Sequence, residues 1–179
     1  MSFEILISFA LASMTLALSP GPDNIYVLTQ SVVNGKKYGL VTVSGLMTGC
    51  LVHTSLVAFG VSALIKTNEN LYFSIKLFGA LYLLYLAYQV LRRDSSIHLS
   101  ETNVTKKKTT QLFKQGFIMN LLNPKVSIFF LAFFPSFLFS DVMNPILQFY
   151  ILGLLFMLVS GIVFSGIAIL AGSISQTIQ

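Results

Sequence analysis

The segment Ser19-Pro20-Gly21-Pro22-Asp23-Asn24 interrupts an apolar run that is otherwise long enough to span a bilayer. Proline removes a backbone donor and clashes with the preceding turn, so a helix cannot pass through this segment unbroken. In hydrocarbon the carbonyls it frees have no water to bond, and such a break is tolerated only where protein buries it or where it lines a polar cavity. Asp23 sharpens the point, because an ionised carboxylate at mid-span costs about 2.5–3.5 kcal/mol on insertion scales. The apolar residues of 5–18 offset that only narrowly. The segment reads as a working site.

Composition places the rest of the chain in the same environment. Of 179 residues, 55% are hydrophobic and 9% charged, where a soluble domain carries about 25% charged residues. A crossing needs about 20 apolar residues, and five runs qualify: 5–33 (interrupted), 39–65, 71–91, 115–139 and 146–170. The expected fold is all-α, a polytopic membrane helical bundle forming a single transmembrane domain over residues 1–179.

The net charge of +5 is placed too unevenly to suggest nucleic acid. Lys36 and Lys37 follow the first span; Arg92, Arg93, Lys106, Lys107, Lys108 and Lys114 follow the third. Lys66, Glu69 and Asp141 fall on the other side. By the positive-inside rule the basic loop 92–114 is cytoplasmic and the amino terminus faces outward. The start of the chain lacks the basic region of a signal peptide, so the first span is expected to be retained. Asn103-Val104-Thr105 fits a glycosylation sequon but lies in that cytoplasmic loop. Cys50 is the single cysteine, which excludes an intrachain disulfide.

The loop 92–114 divides the chain into halves, residues 1–91 and 115–179. The second half is also interrupted in its leading span, at Asn123-Pro124-Lys125. Matched proline-broken spans point to an inverted repeat with a binding site at the repeat interface; two ordinary proline kinks are the alternative. Five spans fall one short of a 3+3 architecture of six. Residues 171–179 read as a connection to a sixth helix.

Candidate site residues are those of the two breaks. Asp23 offers proton coupling or recognition of an ammonium; with Asn24 it could instead cap the helix that Pro22 restarts. Lys125 near mid-membrane needs a partner, either Asp23 or a substrate carboxylate, unless its long side chain reaches water. Asn120 and Asn123 can bond freed backbone or a ligand. His53 is read as a bond to a neighbouring helix, Lys76 as a snorkelling cation, and Tyr82, Tyr85 and Tyr88 as an interfacial belt. Ser44-Gly45, Thr48-Gly49, Gly161 and Ser165 form small-residue packing patterns. Nothing resembles a metal-ligand cluster or a nucleophile with its base. Neither enzyme activity nor a cofactor is expected, and a lone cysteine excludes thiol-disulfide electron transfer.

Leu18-Ser19-Pro20-Gly21-Pro22-Asp23-Asn24, Gly39…Gly45…Gly49, Gly79…Tyr82-Leu83…Tyr85-Leu86-Ala87 and Phe113…Gly116-Phe117…Asn120-Leu121-Leu122-Asn123-Pro124-Lys125 together resemble the LysE/RhtB family of amino-acid exporters. The resemblance runs from about residue 3 to residue 170. It implies a bacterial inner-membrane exporter of amino acids or derivatives such as threonine, homoserine, homoserine lactone or lysine, energised by protons. It also implies importance for Pro20, Gly21, Pro22, Asn123, Pro124 and Lys125. Members of the family usually have a sixth hydrophobic segment. A truncated or assembly-dependent homologue and a metal-cation exporter of similar architecture are the rival readings, and a homo-oligomer is left open.

Overall fold

The computed structural model describes residues 3–61, 69–92 and 107–178. Most of the basic loop, with Arg93, Asn103 and Lys106, lies outside the described residues, as do Lys66 and the end of the expected second span. Every described element is helical. Helix α1 (Phe3–Leu18) leads through Ser19–Gly21 into α2 (Pro22–Asn34). Helix α3 (Lys36–Leu56) follows and runs on as a π-helical turn, Val57–Val61. Helix α4 is Glu69–Arg92, and α5 (Thr109–Leu122) meets α6 (Pro124–Ile128) at Asn123. A π-helical turn, Phe129–Phe133, and a 3-10 turn, Phe134–Phe137, extend α6. Helix α7 spans Pro145–Ile178.

Three stretches, Lys36–Gly60, Asn70–Gln89 and Pro145–Ile174, are long and apolar enough to cross a membrane singly. The count becomes five if each bent pair is one span: α1 with α2, bent by 61°, and α5 with Pro124–Phe137, bent by 50°. Outward-facing Leu11, Leu51, Leu154, Leu158 and Ile162 are exposed, as a lipid-contacting surface requires.

Sequence dictates the boundaries. Pro20 stops α1, and Pro22 restarts the chain as α2 at the first helical position, where its missing N–H costs nothing. Gly35 ends α2 with φ of 95° and donates its N–H to Ser31 O at 3.1 Å. A residue with a Cβ is disfavoured in that left-handed region, and α3 begins immediately afterwards.

Apolar burial drives little association in lipid, so contacts between helices depend on close packing. Helix α3 sits at the centre against α5 and α7. A Cβ at Gly45 would stand 2.1 Å from Phe113 O, and one at Gly116 would stand 2.4 Å from Thr42 O. The α3–α5 seam is therefore backbone against backbone. Ser44 and Thr48 face outward instead, their hydroxyls bonded to their own helix. In α7 Gly153 packs tightly against Thr54, whereas Gly161 makes only ordinary contact with Met47. Phe9, Phe129, Phe130, Phe134, Phe149 and Phe156 fill the space between α1, the extension of α6, and α7.

The expectation that residues 171–179 are a connection is overturned. Residues 171–178 continue α7. No proline interrupts them, and Gly172 lets α7 press onto the backbone of Lys36, where a Cβ would meet Lys36 N at 2.6 Å.

Candidate functional site

The two breaks meet. Ser19 through Pro22 and Asn123 through Lys125 line one cavity of about 270 Å³, closed on the third side by Tyr82, Leu86 and Gln89 of α4. A second cavity of about 280 Å³ shares Ser19, Leu86 and Lys125 with it and is otherwise largely apolar, bounded by Leu16, Leu83, Phe129 and Phe133.

Pro20 and Pro124 each deny an N–H to the carbonyl four residues before them, and both of those carbonyls accept from a side chain of another helix. Pro20 cannot donate to Leu16 O. The Lys125 ammonium does so instead, at 3.0 Å, and also donates to Ser19 O at 2.8 Å. Pro124 cannot donate to Asn120 O, which accepts instead from the Asn123 backbone N–H at 3.1 Å and from His53 Nε2 of α3 at 3.2 Å. The His53 ring is held by stacking on Phe130 at 5.4 Å. A third freed carbonyl, Ala17 O, accepts from Asn24 Nδ2 at 2.7 Å. A buried carbonyl without a donor costs about 1–3 kcal/mol, so these bonds are what make the breaks tolerable.

Asn123 joins the breaks. Its Oδ1 accepts from the backbone N–H of Lys125 at 3.0 Å, capping α6, and its Nδ2 donates to Asp23 Oδ2 at 2.9 Å. The amide orientation follows from chemistry, since a backbone N–H can only donate and a carboxylate can only accept. Asp23 is 2% exposed and Lys125 7%. Two sequence alternatives are thereby corrected. Lys125 forms no direct ion pair with Asp23; its ammonium goes to Leu16 O and Ser19 O, and Asn123 takes the carboxylate. Neither Asp23 nor Asn24 caps α2, whose amino end at Gly21 has no side-chain cap. A Cβ on Gly21 would meet Lys125 Nζ at 3.1 Å, so glycine is what lets the ammonium approach this closely.

Asn120 belongs to the packing as well as the site. It fits against Gly49, where a Cβ would fall 2.6 Å from its Oδ1, and that oxygen accepts weakly from the Cys50 thiol at 3.7 Å. Lys76 is half-buried with its ammonium 4.5 Å from the Tyr72 ring centre. Of the expected tyrosine belt, Tyr88 does stack under Arg92, but Tyr82 turns into the cavity. Tyr82, Leu86 and Gln89 recur at i, i+4 and i+7, a single helical face that the sequence displays and that belt reasoning passed over. Among the described residues no three His, Cys, Asp or Glu side chains converge as a metal site would need.

Comparison with known proteins agrees with this architecture. Over its full length the chain is 33% identical to a homoserine/homoserine lactone efflux protein of Salmonella typhimurium and 34% identical to one of Salmonella typhi, covering 86% of each. No solved structure gives a significant match. Residues 14–179 match the family model of the LysE type translocators. With its multiple apolar helices and paired breaks, the chain is a multi-pass membrane protein that belongs to the LysE type translocator family.

Proposed function

We propose that this protein is a secondary exporter of amino acids or their close derivatives across the bacterial inner membrane, driven by protons. The observation that carries the reading is the cavity shared by the two breaks, which puts a buried ammonium, an uncapped helix amino end and two polar α4 side chains around a space of about 270 Å³. Ligand sites usually begin near 300 Å³, so the space suits a small zwitterion. The substrate carboxylate would lie between Lys125 and the free N–H groups of α2, where the helix dipole favours a negative charge. Its ammonium would meet Tyr82 and Gln89. The efflux proteins to which the chain is similar support a substrate of the homoserine class.

Asp23 has its free carboxylate oxygen outside the lining of this cavity, which favours proton coupling over ammonium recognition. Protonation would weaken its charge-assisted bond from Asn123 and loosen the link between the breaks. Residues 1–91 would be a three-span repeat and 115–179 a partial second repeat inserted in the opposite sense, a reading supported by the two similarly bent pairs, with the basic loop cytoplasmic and the amino terminus outside.

The test is reconstitution into vesicles with an imposed pH gradient and a panel of labelled amino acids including homoserine and threonine. Gradient-driven movement of at least one of them is expected, with Asp23→Asn abolishing the dependence on the gradient. Failure of every amino acid to move above protein-free vesicles, or movement indifferent to the gradient, would contradict the proposal.

A further inference from the structure

Behind the break junction lies a second, far smaller space of about 10 Å³, bounded by Asp23, Cys50, Asn120, Lys125 and Ser160 with Phe156 as an apolar wall. That is about the least volume that holds one water, which also needs two to four polar partners. Two partners are present and unspent. Asp23 Oδ1 and Ser160 Oγ are both buried without any protein hydrogen bond, on residues 2% and 1% exposed. Ser160 departs from the habit of its neighbours. Ser13, Ser31 and Thr54 turn their hydroxyls back onto the carbonyl four residues earlier, at 2.7–2.8 Å, as such residues commonly do in apolar helices. Ser160 makes no such bond and lines the pocket instead.

We propose that this pocket holds a single water molecule bridging Asp23 Oδ1 and Ser160 Oγ, and that this water hands the coupling proton to Asp23. The second half of that statement rests on the proton-driven export reading; the first does not. In the step itself, an arriving proton forms an O–H bond on the water while one of the water's own protons passes to Asp23 Oδ1. The water is regenerated and the carboxylate becomes a neutral acid. Ser160 accepts from the water or donates to it as needed, and so acts as a positioning residue. The groups facing Asp23 are few. Helix α6 contributes the Lys125 ammonium, committed to Leu16 O and Ser19 O; α3 contributes the Cys50 thiol, and α5 the uncharged Asn120. Helices α1 and α7 put no titratable side chain in the lining. Because α7 supplies Ser160, the longest helix would sense the protonation state of the break.

Infrared difference spectroscopy on the full chain in lipid, triggered by a pH step and repeated in water labelled with oxygen-18, tests the water directly. The expected result is a protonated-carboxyl band lost in Asp23→Asn, accompanied by an isotope-sensitive water band lost in Ser160→Ala. No isotope-sensitive band in the unaltered protein, or its persistence in Ser160→Ala, overturns the proposal. So does a spectral response to added sodium at fixed pH in place of the pH response. Should Ser160→Ala fail to fold, Ser160→Cys puts a larger and more weakly bonding thiol at the pocket, so its water band must shift or vanish; an unshifted band is equally fatal. In vesicles, Ser160→Ala should slow gradient-driven efflux about tenfold or more, within reach of losing one positioned proton-transfer partner, while gradient-free substrate exchange stays unchanged. Efflux and exchange falling together would overturn the proton-handling role. Unaltered protein that shows the water band yet moves no amino acid sustains the water site and refutes export.

Discussion

At the second break the chain largely provides for itself: Asn123 caps α6, its backbone N–H reaches Asn120 O at 3.1 Å, and His53 adds a donor to the same carbonyl. At the first break three residues separate the helices and no side chain caps α2. Apart from Asn24 bonding Ala17 O, the carbonyls at its edge depend on Lys125, and its acid depends on Asn123. One break is self-supporting and the other is completed by it. The lesson is that the first break takes most of its hydrogen-bond partners from the second.

The largest effect that would expose this asymmetry is expected from Lys125→Met. Two bonds from a charged donor vanish and two part-buried carbonyls lose their donor, a loss of about 3 kcal/mol at roughly 1.5 or more for each bond to a charged group. Thermal unfolding of the purified protein in detergent should show it, with Lys125→Arg recovering part. A melting temperature unmoved by Lys125→Met would mean that the first break does not depend on the second.

A smaller effect is expected from His53→Phe, which keeps the ring on Phe130 and removes the donor to Asn120 O, at about 1 kcal/mol. Combined with Pro124→Ala the cost should shrink toward zero, because the alanine N–H can then serve that carbonyl. Equal costs in both backgrounds would show that His53 does not substitute for the proline's missing donor. Smallest should be Asn24→Ala, at roughly 0.5–1 kcal/mol, since its bond to Ala17 O lies at a half-buried edge of the first break. A cost matching that of Lys125→Met would erase the contrast in which the first break leans chiefly on the second.

Much of this was legible in the sequence, for physical reasons that differ by residue. Proline acts locally, so the positions of both breaks and the restart of α2 at Pro22 follow directly from residue type. The apolar runs likewise declare their spans through length alone. What the sequence could not declare is which donor reaches which freed carbonyl. Lys125 and Asp23 suggested an ion pair because opposite charges in lipid invite one, yet Lys125 is drawn to two carbonyls and Asn123 takes the carboxylate. The continuation of α7 past residue 170 was missed because Gly172 and Ser173 look like turn residues; in membranes small residues also mark close helix contact. Ser160 was invisible for a similar reason. A serine in an apolar helix ordinarily satisfies itself, and only the absence of that bond sets it apart.

The central claim, that the first break is held by the second, is tested most directly by a double-mutant cycle on Asp23→Ala and Asn123→Ala, read by unfolding in lipid or detergent. The two side chains meet across the junction at 2.9 Å, and a charge-assisted bond predicts a coupling of about 1.5–3 kcal/mol. Effects that add to within about 0.5 kcal/mol, as they do for independent sites, would contradict it.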